Sequence, residues 1–337
     1  MKVAMLGTGA IAPVALAAMK AAAGISVEAL WSRQHSRQRG ETLAREYGIP
    51  RVYTDCRALF REGDVDTAYI ALVNPVHFAY AREALLAGKN VILEKPFCTR
   101  WAQTRELADL AREKGLFLLE AMPLWHGALF RKIRELVPAL GPIRLVQGNY
   151  SQYSSRYDRY RKGEVLPAFD PALAGGALYD LNVYNIAWTA GLWGLPEKVL
   201  YAPNRGWNGV DTSGVLLLGY PGFQASLSAA KDSDSPSGFL VQGEKGWLKV
   251  KGKPIHPEKL EWTLIQGPDQ DQFSTAAVKK AQNTKNWTLP ERENRMVEEF
   301  EDFARIVDRK KKEEAEAYLK MTLAASEVLE RAAGHTI

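Results

Sequence analysis

The sequence has little cysteine and little histidine. Its 337 residues include two cysteines, Cys56 and Cys98, which cannot form a disulfide framework or a cysteine-rich zinc site. The five histidines show neither an H-E-x-x-H pattern nor a close cluster of ligands: His35, His77, His126, His256 and His335. The G-x-S-x-G elbow of serine hydrolases is also missing from the sequence. The sequence therefore predicts no metal site and no serine hydrolase.

Neither sign of charge is in strong excess. Lys and Arg number 44 against 39 Asp and Glu, which gives a net charge of +5 at pH 7 and a pI near 9.0. That mild basic excess fits nucleic acid or an anionic ligand, but no nucleic-acid-binding module is recognised in the sequence. Charged residues (25%) and hydrophobic residues (46%) occur in the proportions of a folded protein, and the length suits one large domain or two ordinary ones. We expect an enzyme without a nucleic-acid partner.

Long hydrophobic runs are lacking as well. Residues 2–23 are mostly apolar and loosely resemble a secretory signal. Two glycines, a proline and a lysine interrupt this stretch, so it divides into a strand, a turn and a helix and is too broken to span a membrane. We therefore expect a cytoplasmic protein with no membrane partner.

The first 121 residues alternate between strand and helix patterns. The strands are predicted at Lys2–Leu6, Ser26–Trp31, Thr67–Val73, Asn90–Glu94 and Leu116–Ala121. The helices are predicted near Ile11–Ala23, Ser36–Tyr47, Val76–Ala87 and Ala102–Lys114. Because strands joined by crossover helices form parallel sheets, residues 1–121 are predicted to be a doubly wound Rossmann domain of the α/β class that binds a dinucleotide.

The pattern changes after residue 121. Strand-like runs now follow one another: Arg144–Tyr153, Gly214–Leu218, Gln224–Ala230, Phe239–Val241, Trp247–Val250 and Leu260–Ile265. Helices are predicted near Leu129–Val137 and Ala177–Ala190, and helical spacing continues over residues 297–329. Residues 122–337 are therefore predicted to form an α+β domain with a mostly antiparallel open sheet, which binds the substrate and forms the oligomer.

A glycine-rich turn joins the first strand to the first helix. Gly7-Thr8-Gly9-Ala10-Ile11-Ala12 matches the G-x-G-x-x-[GA] pattern of dinucleotide-binding proteins. Gly7 permits the tight turn, Gly9 lets the backbone approach a pyrophosphate, and the small Ala12 lets the helix pack closely. The helix N-terminus then offers free N–H groups to the phosphates. The turn predicts a bound dinucleotide.

The residues after the second strand bear on which dinucleotide is bound. An acidic residue at this strand end would bind the ribose 2′-hydroxyl of NAD(H), but Glu28 lies inside the strand. The strand ends instead in Ser32 and Arg33, and Arg37 follows one turn later. A serine hydroxyl and guanidinium groups suit a 2′-phosphate, which favours NADP(H) over NAD(H). The alternative is that these arginines simply decorate the start of a polar helix.

Four segments together resemble one known family. They are Gly7–Ala12, Asn74-Pro75-Val76-His77, Glu94-Lys95-Pro96, and Gly175–Asp180 with Tyr184. In order and spacing they are similar to the Gfo/Idh/MocA family, named after glucose–fructose oxidoreductase and inositol dehydrogenase. The paired Asp and Tyr are most similar to the branch that holds glucose–fructose oxidoreductase and dimeric dihydrodiol dehydrogenase. The resemblance spans nearly the whole chain.

The resemblance implies a catalytic trio of Lys95, Asp180 and Tyr184, with Lys95 and Tyr184 as the acid–base pair. The residue chemistry agrees. Lys95 follows a parallel strand at the edge where ligands bind, and Asp180 and Tyr184 are four apart on a predicted helix, so they share a face. Carbonyl reduction needs one proton, which a tyrosine beside a cation can supply. Asn182 stands where the family commonly has glycine, so we expect an altered pocket wall.

Other residues are implied with less support from the sequence. Asn74, His77, Glu94 and Lys95 fall in the family segments near the nicotinamide, although His77 equally suits a helix cap. Further side chains are placed where they would overhang the site or simply pack: Trp125, His126, Tyr153, Arg156 and Tyr157.

The predicted activity is an NADP(H)-dependent dehydrogenase or reductase. Its substrate is a hydroxyl/carbonyl pair in a sugar, a polyol or a cyclic diol. Two alternatives stay open, a non-catalytic dinucleotide sensor and a glycoside hydrolase that retains tightly bound NAD. The open face expected on the second sheet, together with the resemblance, predicts a homodimer or a tetramer.

Overall fold

A computed structural model describes residues 1–264, 284–290 and 294–334. Its first sheet has six parallel strands in the order β3-β2-β1-β4-β5-β6. The strands are β1 Lys2–Leu6, β2 Ser26–Trp31, β3 Arg51–Tyr53, β4 Thr67–Ile70, β5 Asn90–Glu94 and β6 Leu118–Ala121. The helices between them are α1 Ile11–Ala21, α2 Arg37–Tyr47, α3 Cys56–Glu62, α4 His77–Leu86 and α5 Trp101–Lys114. The Rossmann prediction is confirmed, and the strand order reverses between β1 and β4, where such sheets bind ligands.

The short elements β3 and α3 are absent from the sequence prediction. The strand β3 has three residues, too few for a periodic pattern. Helix α3 begins after Asp55, whose carboxylate accepts the backbone N–H groups of Arg57 and Ala58. Both elements complete the β2–β4 crossover.

The second sheet has eight strands in the order β14-β13-β12-β11-β7-β10-β9-β8. They are β7 Ile143–Ser151, β8 Lys198–Arg205, β9 Asp211–Tyr220, β10 Phe223–Ala230, β11 Gly238–Gly243, β12 Gly246–Lys253, β13 His256–Leu264 and β14 Lys285–Thr288. Only the β7–β10 pair is parallel among these described strands, which confirms a mostly antiparallel sheet. The strands β8 and β14 were not predicted, and Ile265 of the predicted last strand lies outside the described residues.

The remaining helices follow the first sheet in the chain. They are α6 Pro123–His126, α7 Ala128–Leu136, α8 Tyr157–Arg161, α9 Val183–Trp193, α10 Val297–Asp308 and α11 Lys312–Gly334. Phe300 and Phe303 of α10 are fully buried in the core that includes α1 and the first sheet, whereas Val328 and Leu329 of α11 join the core of the second sheet. The end of the chain thus packs on both units, and their division at residue 121 stays a prediction.

One face of the second sheet is covered and the other is open. Val146, Tyr201 and Leu216 point into the core beneath α9 and α11. The opposite face exposes a row of apolar side chains: Leu145, Leu200, Val215 and Leu217. In the described part of the chain, no helix is long and apolar enough to cross a membrane.

Candidate active site

The glycine turn leaves space above the start of α1. Gly7 has φ +119, and a Cβ there would overlap the carbonyl oxygen of Ala71. A Cβ on Gly9 would meet nothing within 4 Å. Ala12 is fully buried, and the start of α1 has no side-chain cap within the described structure. Thr8, Ala10 and Ile11 complete the turn. Open space beside uncapped N–H groups fits a bound pyrophosphate.

The end of β2 lies next to this turn, because the Gly7 N–H donates to the Trp31 carbonyl at 3.0 Å. Ser32 is 1% exposed, and its hydroxyl has no partner among the described residues. Arg33 is exposed, and Arg37 pairs with Glu41 at 2.9 Å on the outer face of α2. The segment after β2 thus carries a buried hydroxyl without a described partner and two arginines that extend from the surface.

Lys95 and Asp180 meet across the two units. Lys95 directly follows β5, and its Nζ donates to Asp180 Oδ1 at 3.3 Å and to the Asp180 carbonyl oxygen at 3.2 Å. Asp180 lies in a single π-helical turn, Leu178–Asn182, that leads into α9. Such turns are frequent at functional sites. The structure therefore brings together a cation and an anion 85 positions apart in the sequence.

Tyr184 lies on α9 against the same lysine. Its side chain is 5% exposed, and the Lys95 Nζ is 4.8 Å from the centre of its ring. The Tyr150 ring of β7 packs against it edge-on at 5.7 Å. Asp180 and Tyr184 thus both contact Lys95, so the structure brings the predicted trio together.

A second lysine, Lys231, was missed by the sequence analysis. It directly follows β10, and its Nζ donates to Asp180 Oδ2 at 2.8 Å. Its side chain is 3% exposed. The sequence offers only a lysine at the end of an apolar strand, and strand register within an antiparallel sheet decides where that side chain points.

The ion pairs shift the ionisation of all three groups. Burial would raise the pKa of Asp180, but Lys95 and Lys231 outweigh it and hold that pKa well below its usual range. Burial would lower the pKa of Lys95, but Tyr184, Asp180 and Glu94 raise it above its ordinary value. For Lys231, burial dominates and lowers the pKa despite Asp180. Around neutral pH, Asp180 is a carboxylate and Lys95 an ammonium group.

Asp211 fixes the π turn that carries Asp180. Its Oδ2 accepts the Leu178 N–H and the Tyr201 hydroxyl, each at 2.6 Å. Gly176 has φ +110, and a Cβ there would overlap the Asp211 carboxylate. This close approach explains the glycine in the Gly175-Gly176 segment.

Asn182 was expected to change the pocket wall, and that expectation is wrong. Its side chain is fully buried and donates to the Leu227 carbonyl of β10 at 3.2 Å. Its Oδ1 accepts from Asn185 Nδ2 at 2.9 Å. Asn182 therefore ties the π turn to the second sheet and is not available to line a pocket.

Asn74, His77 and Glu94 lie around the ends of β4 and β5. Asn74 Nδ2 donates to the carbonyl oxygens of Leu173 at 3.2 Å and Ala174 at 3.3 Å. His77 is fully buried, with Nδ1 3.1 Å from the Pro96 carbonyl and Nε2 3.1 Å from that of Leu72. Burial lowers the pKa of His77, although these carbonyls oppose the shift. The Tyr69 hydroxyl donates to Glu94, and burial raises the Glu94 pKa.

Trp125 and His126 do not overhang the site. Trp125 is buried and donates to the Ala187 carbonyl at 2.9 Å, and His126 is buried with Nδ1 2.8 Å from Asp302. Tyr153 is exposed, and Tyr157 packs between it and Tyr160. Arg156 is the exposed residue that precedes α8.

The described residues contain no group of three or more His, Cys, Asp or Glu side chains that could hold a metal ion. Four of the five histidines are among these described residues. His335 lies outside the described residues.

Comparisons with known proteins identify relatives of both parts of the chain. The profile of an oxidoreductase family with an NAD-binding Rossmann fold, GFO_IDH_MocA, matches residues 1–121. The profile of the GFO/IDH/MocA C-terminal domain matches residues 130–249.

Curated relatives and solved structures are similar along the chain. The scyllo-inositol 2-dehydrogenase (NADP(+)) IolU of Bacillus subtilis (strain 168) is 30% identical over 305 residues, which cover 90% of this chain and 87% of the relative. The trans-1,2-dihydrobenzene-1,2-diol dehydrogenase of Sus scrofa is 32% identical over 217 residues, 63% of this chain and 62% of the relative. The 3-ketoreductase KijD10 of Actinomadura kijaniata, solved with NADP and TDP-benzene, has a TM-score of 0.80 at 21% identity, covering 100% of this chain and 98% of that one. At that identity, the structural likeness shows the fold alone.

Proposed function

Because this chain belongs to the Gfo/Idh/MocA family and is an NAD(P)-dependent oxidoreductase, we propose that it transfers a hydride between NADP(H) and a hydroxyl/carbonyl pair of a sugar, polyol or cyclic diol. The observation that carries the proposal is the contact of Lys95 with both Asp180 and Tyr184 at the carboxyl edge of the first sheet. The named substrates of the relatives include an inositol and a dihydrodiol, which are both cyclic secondary alcohols.

The proposed cofactor site lies along the carboxyl ends of the strands of the first sheet. Gly7–Ala12 would receive the pyrophosphate, and Ser32, Arg33 and Arg37 the 2′-phosphate. Asn74, Glu94 and Lys95 would lie by the nicotinamide end. The ring nitrogens of His77 face backbone carbonyls, so its part is to hold the loops after β4 and β5 together. The exposed Arg33 and the NADP named for IolU and KijD10 support NADP.

The chemistry assigned to the chain is proton transfer. The dinucleotide, when bound, supplies or accepts the hydride. Lys95 and Tyr184 act as the acid–base pair: the ammonium group binds the reacting substrate oxygen, and the Tyr184 hydroxyl donates or accepts its proton. Asp180 holds the ammonium group in place.

The experiment is a fluorescence titration with NADPH and with NADH, followed by turnover assays on inositols, trans-dihydrodiols and keto sugars. We expect tighter NADPH binding and a change in nicotinamide absorbance with at least one substrate. Tyr184→Phe should lower kcat by about 10²–10⁴-fold, the usual contribution of a general acid–base group.

Other outcomes would replace the proposal. Equal affinity for the two dinucleotides would overturn the NADP(H) preference. Tightly retained cofactor with glycoside cleavage and no net nicotinamide turnover would favour the glycoside hydrolase. Binding without any turnover would favour the sensor.

We also propose that residues 1–121 bind the cofactor, that residues 122–337 bind the substrate, and that two copies pair through the open face of the second sheet. The exposed apolar row on β7, β8 and β9 supports this pairing, because such a patch is unfavourable in water.

A further inference from the structure

Lys231 is held more rigidly than a surface lysine would be. Its backbone N–H donates to the Thr212 carbonyl at 2.8 Å, and its own carbonyl accepts the Ser154 N–H at 2.9 Å. Its side chain is 3% exposed, against 17% for Lys95 and 40% for Asp180. The Lys231 Nζ therefore has a fixed position at the end of β10.

The Nζ of Lys231 makes three close contacts. It donates to Asp180 Oδ2 at 2.8 Å and to the Ala168 carbonyl at 2.6 Å, and it lies 4.7 Å from the centre of the Phe169 ring. Asp180 thus gives one carboxylate oxygen to each lysine. Its contact with Lys231 is 0.5 Å shorter than its contact with Lys95, since those distances are 2.8 and 3.3 Å.

Because each lysine takes one carboxylate oxygen of Asp180, Lys95 has an N–H donor that no protein group among the described residues uses. An ammonium group has three N–H donors. Lys95 gives one to the Asp180 carbonyl and one to Oδ1, which leaves one for another acceptor. If Asp180 could turn both carboxylate oxygens toward Lys95, all three donors would be used within the protein.

We propose that Lys231 is a positioning residue for the Lys95–Asp180 pair. By holding Oδ2 of Asp180, it keeps one N–H of Lys95 free for the reacting oxygen of the substrate. This inference rests on the proposed function for the part played by Lys95. It assigns Lys231 no direct contact with the substrate.

The charged and titratable groups around Asp180 come from several elements. They are Lys95 after β5, Lys231 after β10, Asp211 on β9, Tyr150 on β7 and Tyr184 on α9. Since Lys95 and Lys231 are the two cations that lower the pKa of Asp180, removal of Lys231 should raise the pH at which Asp180 titrates.

The test combines a titration with kinetics. Aspartate labelled with ¹³C at Cγ allows Asp180 to be followed by NMR, with Asp180→Asn identifying its signal. In Lys231→Met we expect the pH midpoint of the Asp180 titration to rise. We also expect kcat to fall by about 10–100-fold, because Lys95 would be misplaced. KM and NADPH affinity should change less than about threefold, and Lys231→Arg should restore most of both properties.

Controls separate the possible failures. Lys114→Met, at the exposed end of α5, should behave as the unmodified protein. Lys231→Gln replaces Lys231→Met if thermal melting shows that the methionine variant does not fold. An unchanged titration midpoint of Asp180 overturns the proposal. The proposal also fails if adding Lys231→Met to Asp180→Asn lowers kcat by the same factor as Lys231→Met alone, because Lys231 would then act without Asp180. If the unmodified protein shows no nicotinamide-linked turnover, the proposed function fails, and the Asp180 midpoint alone decides whether Lys231 positions this carboxylate.

Discussion

The Lys95 ammonium group is held by Asp180 through two atoms, the carbonyl oxygen at 3.2 Å and Oδ1 at 3.3 Å. One residue thus holds the lysine in place. Because the Lys95 Nζ contacts Asp180 and lies against the Tyr184 ring, replacing Lys95 should affect the chemical step more than cofactor binding.

Lys95→Met is therefore expected to lower kcat by about 10²–10⁴-fold, because the charge that binds the reacting oxygen is lost. The NADPH dissociation constant should change little, as the pyrophosphate and adenosine contacts are untouched. Steady-state kinetics and a fluorescence titration measure both. Lys89→Met, on a lysine outside the site, is the matched control. A variant with normal kcat would remove Lys95 from the mechanism.

The proposed NADP(H) preference depends on the end of β2. Arg33→Ala should weaken NADPH binding by about tenfold or more, since a charge-assisted hydrogen bond contributes about 1.5–3 kcal/mol. NADH binding should stay within about twofold, because NADH lacks the 2′-phosphate. Titrating both dinucleotides against the variant checks this, with Arg45→Ala, at the far end of α2, as the control. Equal losses for the two dinucleotides would mean that Arg33 does not bind a 2′-phosphate.

The lowered pKa of Asp180 has a consequence for stability. A carboxyl group with a lower pKa in the folded state stabilises the fold above its unfolded pKa, about 3.9, and loses this effect as the pH falls through the folded value. Asp180→Asn should therefore be less stable than the unmodified protein at pH 7. The difference should persist to pH 5 and shrink only below about pH 4.

Denaturant unfolding at pH 7, 5 and 3 measures that difference. Asp158→Asn, on the exposed helix α8, is the control and should show a much smaller one. A constant difference at all three pH values would show that Asp180 stabilises the fold through shape and not through its charge.

Several parts of the candidate site were predictable from the sequence. The sequence shows local patterns at Gly7–Ala12, at Lys95 and in the four-residue spacing of Asp180 and Tyr184. The structure brings Lys95, Asp180 and Tyr184 into contact. The family resemblance is confirmed by profiles that match both units. What the sequence did not reveal depends on contacts between distant segments. Lys231 reaches Asp180 across 51 positions, a contact that the register of β10 sets.

Burial also changed the interpretation of several residues. His126 was placed over the site as one option, but its pairing with Asp302 depends on the return of α10 to the first unit. Asn182 looked like a change in the pocket wall, yet its amide binds the Leu227 carbonyl on the neighbouring sheet. In both cases the deciding partner lies far away in the chain, and no local pattern encodes it.

The open face of the second sheet is expected to form the interface between copies. Leu200 and Leu217 are cross-strand neighbours on β8 and β9, and both are exposed. Leu217→Glu would place a charge in the centre of an apolar interface, which is strongly unfavourable without a partner. Light scattering should then report a mass near the 37.5 kDa of one chain, against a multiple of it for the unmodified protein.

Leu86→Glu, at the end of α4, is the matched control, because Leu86 is equally exposed but lies on the first unit. It should leave the mass unchanged. If Leu217→Glu also leaves the mass unchanged, copies do not pair through this face, and if it lowers the mass while kcat stays normal, each chain holds a complete active site.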